Sequence, residues 1–178
     1  MPEANADQAV IDELVGNAHG NLARVKELLD LHPELLNSKA TWNETPIEAA
    51  AQMGNRKIID LLIERGAPVD AFTGLVLGRM TEGTVNQRGI HNLPALYFAA
   101  IGGHVDTAQQ LLSAGADVNA PAEAAAPIHG AVMGGNADMV RLLLDHGADA
   151  SLKDYAGRDA RELAMAINRE DIAAVLDG

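Results

Sequence analysis

Ala126-Pro127-Ile128-His129-Gly130-Ala131-Val132-Met133-Gly134-Gly135-Asn136, continued by Leu142-Leu143-Leu144 and Gly147-Ala148-Asp149, is the stretch whose reading decides the fold. Pro127 fits the first turn of a helix, where its missing N–H has no intrahelical partner to lose. Gly135 ends that helix at a position that calls for a left-handed residue. Val140, Leu143 and Leu144 then fall at i, i+3 and i+4, which predicts one apolar stripe on a second helix. Gly147 closes that helix in turn. Two helices this short cannot bury their own apolar faces, so the unit demands copies of itself to stack against.

The copies are present. Thr45-Pro46-Ile47-Glu48-Ala49-Ala50-Ala51-Gln52-Met53-Gly54-Asn55 leads to Ile58-Ile59-Asp60-Leu61-Leu62 and Gly66-Ala67-Pro68-Val69-Asp70-Ala71. Pro94-Ala95-Leu96-Tyr97-Phe98-Ala99-Ala100-Ile101-Gly102-Gly103-His104 leads to Leu111-Leu112 and Gly115-Ala116-Asp117-Val118-Asn119-Ala120. Gly103 and Gly135 are 32 residues apart, and Gly20 and Gly54 are 34 apart. A fixed period of this size signals a stack of repeats. These segments resemble the ankyrin repeat, which runs T-P-L-H-x-A-A-x-x-G-H, a Leu-Leu pair, then G-A-D-V-N-A. The resemblance implies an all-α solenoid of paired antiparallel helices with short hairpin loops, about five units plus one degenerate unit.

The expected units are an N-terminal cap over about 7–39, then 40–71, a degenerate unit over 72–88, then 89–120, 121–153 and a C-terminal cap over 154–178, all in one domain. In the first cap, Leu22 to Leu29 reads as a second helix, preceded by a helix around Asp12 to Ala18 that keeps only the closing Gly20. In the last, Asp154 to Ala164 opens the unit and Glu170 to Leu176 closes it. The interval from Gly54 to Gly103 is 49 residues, one and a half periods. Phe72 to Arg79 looks like a first helix that Asp70 caps. Met80 to Arg88 is too short for a second helix. The alternative to this degenerate unit is an elongated loop after Ala71.

Composition narrows function more than fold. A net charge of -12, with no Lys or Arg anywhere from Gly89 to Val140, leaves too few cations to neutralise phosphates, which argues against nucleic acid. It favours a basic protein partner instead. The chain has no cysteine, which removes disulfides and thiolate chemistry. The polar, acidic start and the absence of a long apolar run predict a soluble, cytoplasmic monomer without a membrane span. No cofactor or metal is expected.

In ankyrin stacks, partners meet the loop tips and the exposed ends of the first helices. Carried onto matching positions, the resemblance implies a partner-binding surface of Thr41, Trp42, Glu44, Gln52 and Met53 in the second unit. The unit after the irregular segment adds Ile90, His91, Leu93 and Ile101, with Gly102 leaving a gap. The next adds Ala122, Glu123, Ala125 and Met133, and the last adds Tyr155, Ala156 and Arg158. Trp and Met on an exposed face are what interface cores contain. Against this stands the reading that Trp42 and Leu93 simply pack against the irregular segment and are buried.

Catalytic furniture is sparse. None of the three serines sits in a nucleophile elbow, no phosphate loop is present, and no His-x-x-x-His pair shares a helix. His129 occupies the histidine place of T-P-L-H, where the family role is a hydrogen bond between units. A protein-interaction module is therefore expected rather than an enzyme. The competing expectation is a small molecule or substrate in a pocket between segment 72–88 and the groove, with Glu44, Glu48, His91, Tyr97 and His129 as acid–base groups. A neutral spacer within a larger assembly is a third reading.

Overall fold

The computed structural model describes residues 3–120 and 124–178. Eleven α-helices are found among them, no strand, and a single isolated antiparallel bridge between Arg88 and Pro94. The chain divides into two compact units, residues 1–73 and 74–178. The division falls inside the short helix Ala71–Val76, where the sequence breaks its period.

The first unit holds α1 (Glu3–Ala18), α2 (Leu22–Leu31), a 3-10 turn (Pro33–Asn37), α3 (Pro46–Gln52) and α4 (Arg56–Glu64). α1 packs on α2 and α3, and α4 on α2 and α3. α1 begins well before the Asp12 start expected for it. Thr45 and Glu48 start α3 with a capping box: Glu48 Oε2 accepts from Thr45 N at 2.8 Å, and Thr45 Oγ1 accepts from Glu48 N. Asn55 caps α4 through Ile58 N.

The second unit begins in the last turns of α5 (Ala71–Val76), which Asp70 starts by accepting from Thr73 N at 2.6 Å. It continues with α6 (Ala95–Ile101), α7 (Val105–Ser113), α8 (Pro127–Gly134), α9 (Ala137–Asp145), α10 (Ala160–Ala166) and α11 (Glu170–Leu176). The first helices α6, α8 and α10 lie in a row, and so do the second helices α7, α9 and α11. All seven residues of α6 are buried. No helix forms over 77–89; Thr84 is buried there, its hydroxyl donating to Thr81 O at 2.7 Å.

The buried stripe of the second helices differs from the i, i+3, i+4 expectation. Ile58, Ile59 and Leu62 are buried in α4, Thr107, Ala108 and Leu111 in α7, and Met139, Val140 and Leu143 in α9. The register is i, i+1, i+4, while Leu61 and Leu144 are only half-buried. Each of these helices packs against its own first helix and against another second helix, so the buried arc widens towards both. The matching place in α2 is Arg24, ion-paired with Glu13 and Glu27. The first repeat thus presents charge where later repeats bury an uncharged side chain.

Gly102 and Gly134 explain how closely the first helices lie. A Cβ on Gly102 would sit 2.5 Å from Val76 O, and one on Gly134 would meet Ile101 O even more closely. The gap expected at Gly102 is therefore filled by backbone. Repeats within the second unit are also tied polar atom to polar atom: Asn136 Nδ2 donates to Gly103 O at 3.1 Å, and Arg169 donates to Gly135 O at 2.6 Å.

Candidate functional site

Three loop tips are described in full, and each is a five-residue hairpin, here called a finger. Ala40 N donates to Glu44 O at 2.9 Å, Gly89 N to Leu93 O at 2.9 Å, and Asp154 N to Arg158 O at 2.8 Å. Left-handed residues make each turn: Asn43 (φ 66°), His91 (φ 51°) with Asn92 (φ 57°), and Gly157 (φ 77°). Asparagine tolerates that region better than most residues with a side chain.

Within the first finger, Thr41 N and Oγ1 both donate to the Asp12 carboxylate, at 2.8 and 3.0 Å. Burial acts to raise the Asp12 pKa, but these bonds and one from Gln8 outweigh it and hold the carboxyl below its ordinary value. Trp42 Nε1 donates to Glu44 Oε2 at 2.7 Å, and His19 Nε2 lies 3.5 Å from that oxygen. Trp42 keeps 42% of its surface exposed, while Glu44 keeps none. The last finger is held by Asp154, which accepts from Ala156 N and Arg158 N at 2.9 Å each and pairs with the Arg158 guanidinium.

The expected surface residues separate into three groups. Thr41, Trp42, Met53, His91 and Tyr155 are exposed, Tyr155 at 80%. Gln52, Ile90, Met133 and Arg158 are half-buried. Glu44, Leu93 and Ile101 are buried, which corrects their placement on the surface. Glu44 and Leu93 share the last place of a finger, one step before the helix cap, where the chain turns back into the stack. Ile101 ends α6, and its backbone is covered by Gly134 of α8. Ala122 and Glu123 lie outside the described residues. Trp42 is not packed away as the competing reading had it, whereas Leu93 is.

Four of the five acid–base groups, all but His91, are engaged where they stand. Glu48 serves its capping box. His129 is buried, its Nδ1 accepting from Ala126 N at 3.1 Å and its Nε2 facing Arg158 O at 3.2 Å. Burial lowers its pKa, against the pull of the Arg158 carbonyl and Asp154. Burial also drives the Tyr97 phenol well above its ordinary range, and its hydroxyl points at Met133 Sδ, 3.7 Å away. Beside the irregular segment lies a cleft of about 200 Å³, lined by Val85, Gln87, Arg88, Leu96 and Asp117 among others and by none of those five groups. Among the described residues no cluster of three metal-ligating side chains occurs, and no helix is long and apolar enough to cross a membrane.

Comparison with known proteins gives the frame for these fingers. A family model described as ankyrin repeats matches over residues 14–122, 75–154 and 96–176. A protein of Rickettsia felis described as an ankyrin repeat protein is 31% identical over 88 residues, covering 49% of this chain and 32% of that relative. The match thus spans about a third of the relative's length.

Proposed function

The chain belongs to the ankyrin-repeat family, and from that premise we propose that it is a protein-interaction module whose partner is held by the exposed finger and first-helix residues. Ankyrin repeats are in general protein–protein interaction modules and typically not enzymes. The observation that carries the reading to this surface is Trp42: the chain's only Trp stands 42% exposed on a finger whose backbone and indole nitrogen are both fixed. A large aromatic held rigid in solvent has little conformational freedom left to lose on binding. Met53, in the same unit and 36% exposed, supplies a second apolar contact that adapts its shape. In the second unit His91 holds the third place of its finger, as Trp42 does, and Tyr155 the second place of its own, both exposed. Cytoplasmic location, a monomeric state and independence of any cofactor belong to the same reading.

The test is capture of the partner from extracts of the native cell, with Trp42→Ala combined with Met53→Ala. A buried Trp at an interface contributes about 2 kcal/mol or more, so capture should fall at least roughly tenfold with the fold intact. Gln109→Ala on α7, an exposed second-helix position, should leave capture unchanged. Full-strength binding by the folded double variant would move the contact surface elsewhere.

A further inference from the structure

We infer that the first finger takes a cationic side chain of the partner, an arginine or lysine, over the exposed face of Trp42, and that the buried carboxylate of Glu44 supplies the charge that selects it. This rests on the interaction-module reading above and names the chemistry of its contact.

The three fingers differ in what their inward position holds. In the last finger it is Arg158, whose guanidinium lies 2.8 Å from Asp154 at the finger's own first position. In the middle finger it is the uncharged Leu93. In the first it is Glu44, and Ala40 stands where the last finger has Asp154. The first finger therefore buries a charge that no residue of its own hairpin balances. Glu44 Oε2 takes the indole N–H of Trp42, but Oε1 is buried and has no hydrogen-bond partner. Two nearby groups bear on the balance. His19 Nε2 lies 3.5 Å from Oε2 and its Nδ1 3.2 Å from Gly16 O, and Oε1 stays without a partner beside it. Lys39 donates to Asn43 Oδ1 at 3.3 Å, on the other side of the turn.

The exposed indole completes the site. Its one polar atom is spent on Glu44, so only its π face and ring edges remain for a partner. The face of an indole attracts cations through its quadrupole. A carboxylate shielded from water at the indole's N–H edge adds a field that solvent screens poorly. An apolar residue on the same face would cover the site and leave the Glu44 charge unbalanced, and an acidic residue would be repelled.

Because Trp42 is the only Trp, its Nε1–H gives a single indole NMR signal. The full chain is titrated with acetylated, amidated Gly-Arg-Gly-Arg-Gly and with the same peptide carrying citrulline or glutamate in place of arginine. The arginine peptide should shift the signal saturably, about fivefold tighter than its uncharged citrulline twin, with glutamate weakest. Glu44→Gln, which keeps shape and drops charge, should erase the arginine preference. Equal response to arginine and citrulline, no saturable response, or a preference kept in Glu44→Gln overturns the inference. Should Glu44→Gln fail to fold, the comparison of peptides on the native chain decides alone. If the peptides fail but Trp42→Ala still abolishes partner capture, only the cation is wrong and the module reading stands.

Discussion

His129 Nε2 stands 3.2 Å from the carbonyl oxygen of Arg158, so the buried ring in α8 reaches the finger of the following repeat. Its other nitrogen accepts from Ala126 N, which fixes the neutral tautomer with the proton on Nε2. One histidine thereby starts its own helix and holds the next unit.

A pH dependence follows from that arrangement. Burial lowers the His129 pKa in the folded chain, so the unfolded chain binds the extra proton first. The contribution of this histidine is fully present above the unfolded value of about 6.5 and is lost as pH falls from there towards the folded value. Tm should decline as pH falls below about 6.5. His129→Gln should be less stable throughout but lack that step. A wild-type Tm that is flat over this range, or an identical step in the variant, refutes the assignment.

Gly134 offers a test whose sign is unusual. Replacing glycine by alanine within a helix normally stabilises by about 1 kcal/mol. Here the new methyl would be driven into the carbonyl of Ile101, backbone that cannot step aside. Gly134→Ala should therefore destabilise by roughly 1–3 kcal/mol in urea melts. A gain in stability would mean that α6 and α8 lie further apart than described.

The last unit covers the faces of α8 and α9 that carry Ile128, Met139, Val140 and Leu143, all buried. Deleting residues 154–178 removes α10, α11, the carbonyl that receives His129 and the guanidinium that sits over Gly135. The shortened chain should self-associate and lose its sharp melting transition, as repeat stacks do without a polar end unit. A monomeric, cooperatively melting product would show that the cap is dispensable.

Much of this frame was legible because it depends on residues with few alternatives. Pro at a helix start, Gly at its close and the paired leucines place the helices, and Asp70 capping α5 followed from the same logic. What stayed hidden is directional. Glu44 reads as a surface residue because carboxylates are rarely buried, and only the hairpin geometry shows that the fifth finger position turns inward. Leu93 turns inward at the same finger position, while Ile101 is covered at the end of α6 by Gly134 of α8. The gap expected at Gly102 failed because a missing side chain looks alike whether solvent or backbone fills the place.

The irregular segment should report its own looseness. Over Met80 to Arg88 the structure gives two turns and a buried Thr84, with no helix ladder to protect the amides. Hydrogen exchange there should be faster than in α6 and α7, because opening it breaks few contacts. Gln87, whose N–H donates to Thr84 O at 3.0 Å, should be the slowest of the stretch. Protection equal to that of α6 would mark an ordered element and turn attention to the cleft beside it.

The remaining prediction separates the shape of the first finger from its surface. Asp12 is not among the residues assigned to the partner, yet its carboxylate holds Thr41 by backbone and hydroxyl together. Asp12→Ala leaves Trp42 and Met53 in place and releases the finger that carries them. If the finger binds because it is already in its bound shape, ordering it must now be done at the expense of binding, and affinity should fall about three- to tenfold. The loss should appear together with a broadened Trp42 indole signal. Restoring the carboxylate one carbon further out, in Asp12→Glu, should recover part of both. An Asp12→Ala chain that binds at full strength with a sharp indole signal would mean that Glu44 alone positions Trp42. A chain that loses binding while the indole stays sharp would instead place Asp12 in contact with the partner, and α1 would join the binding surface.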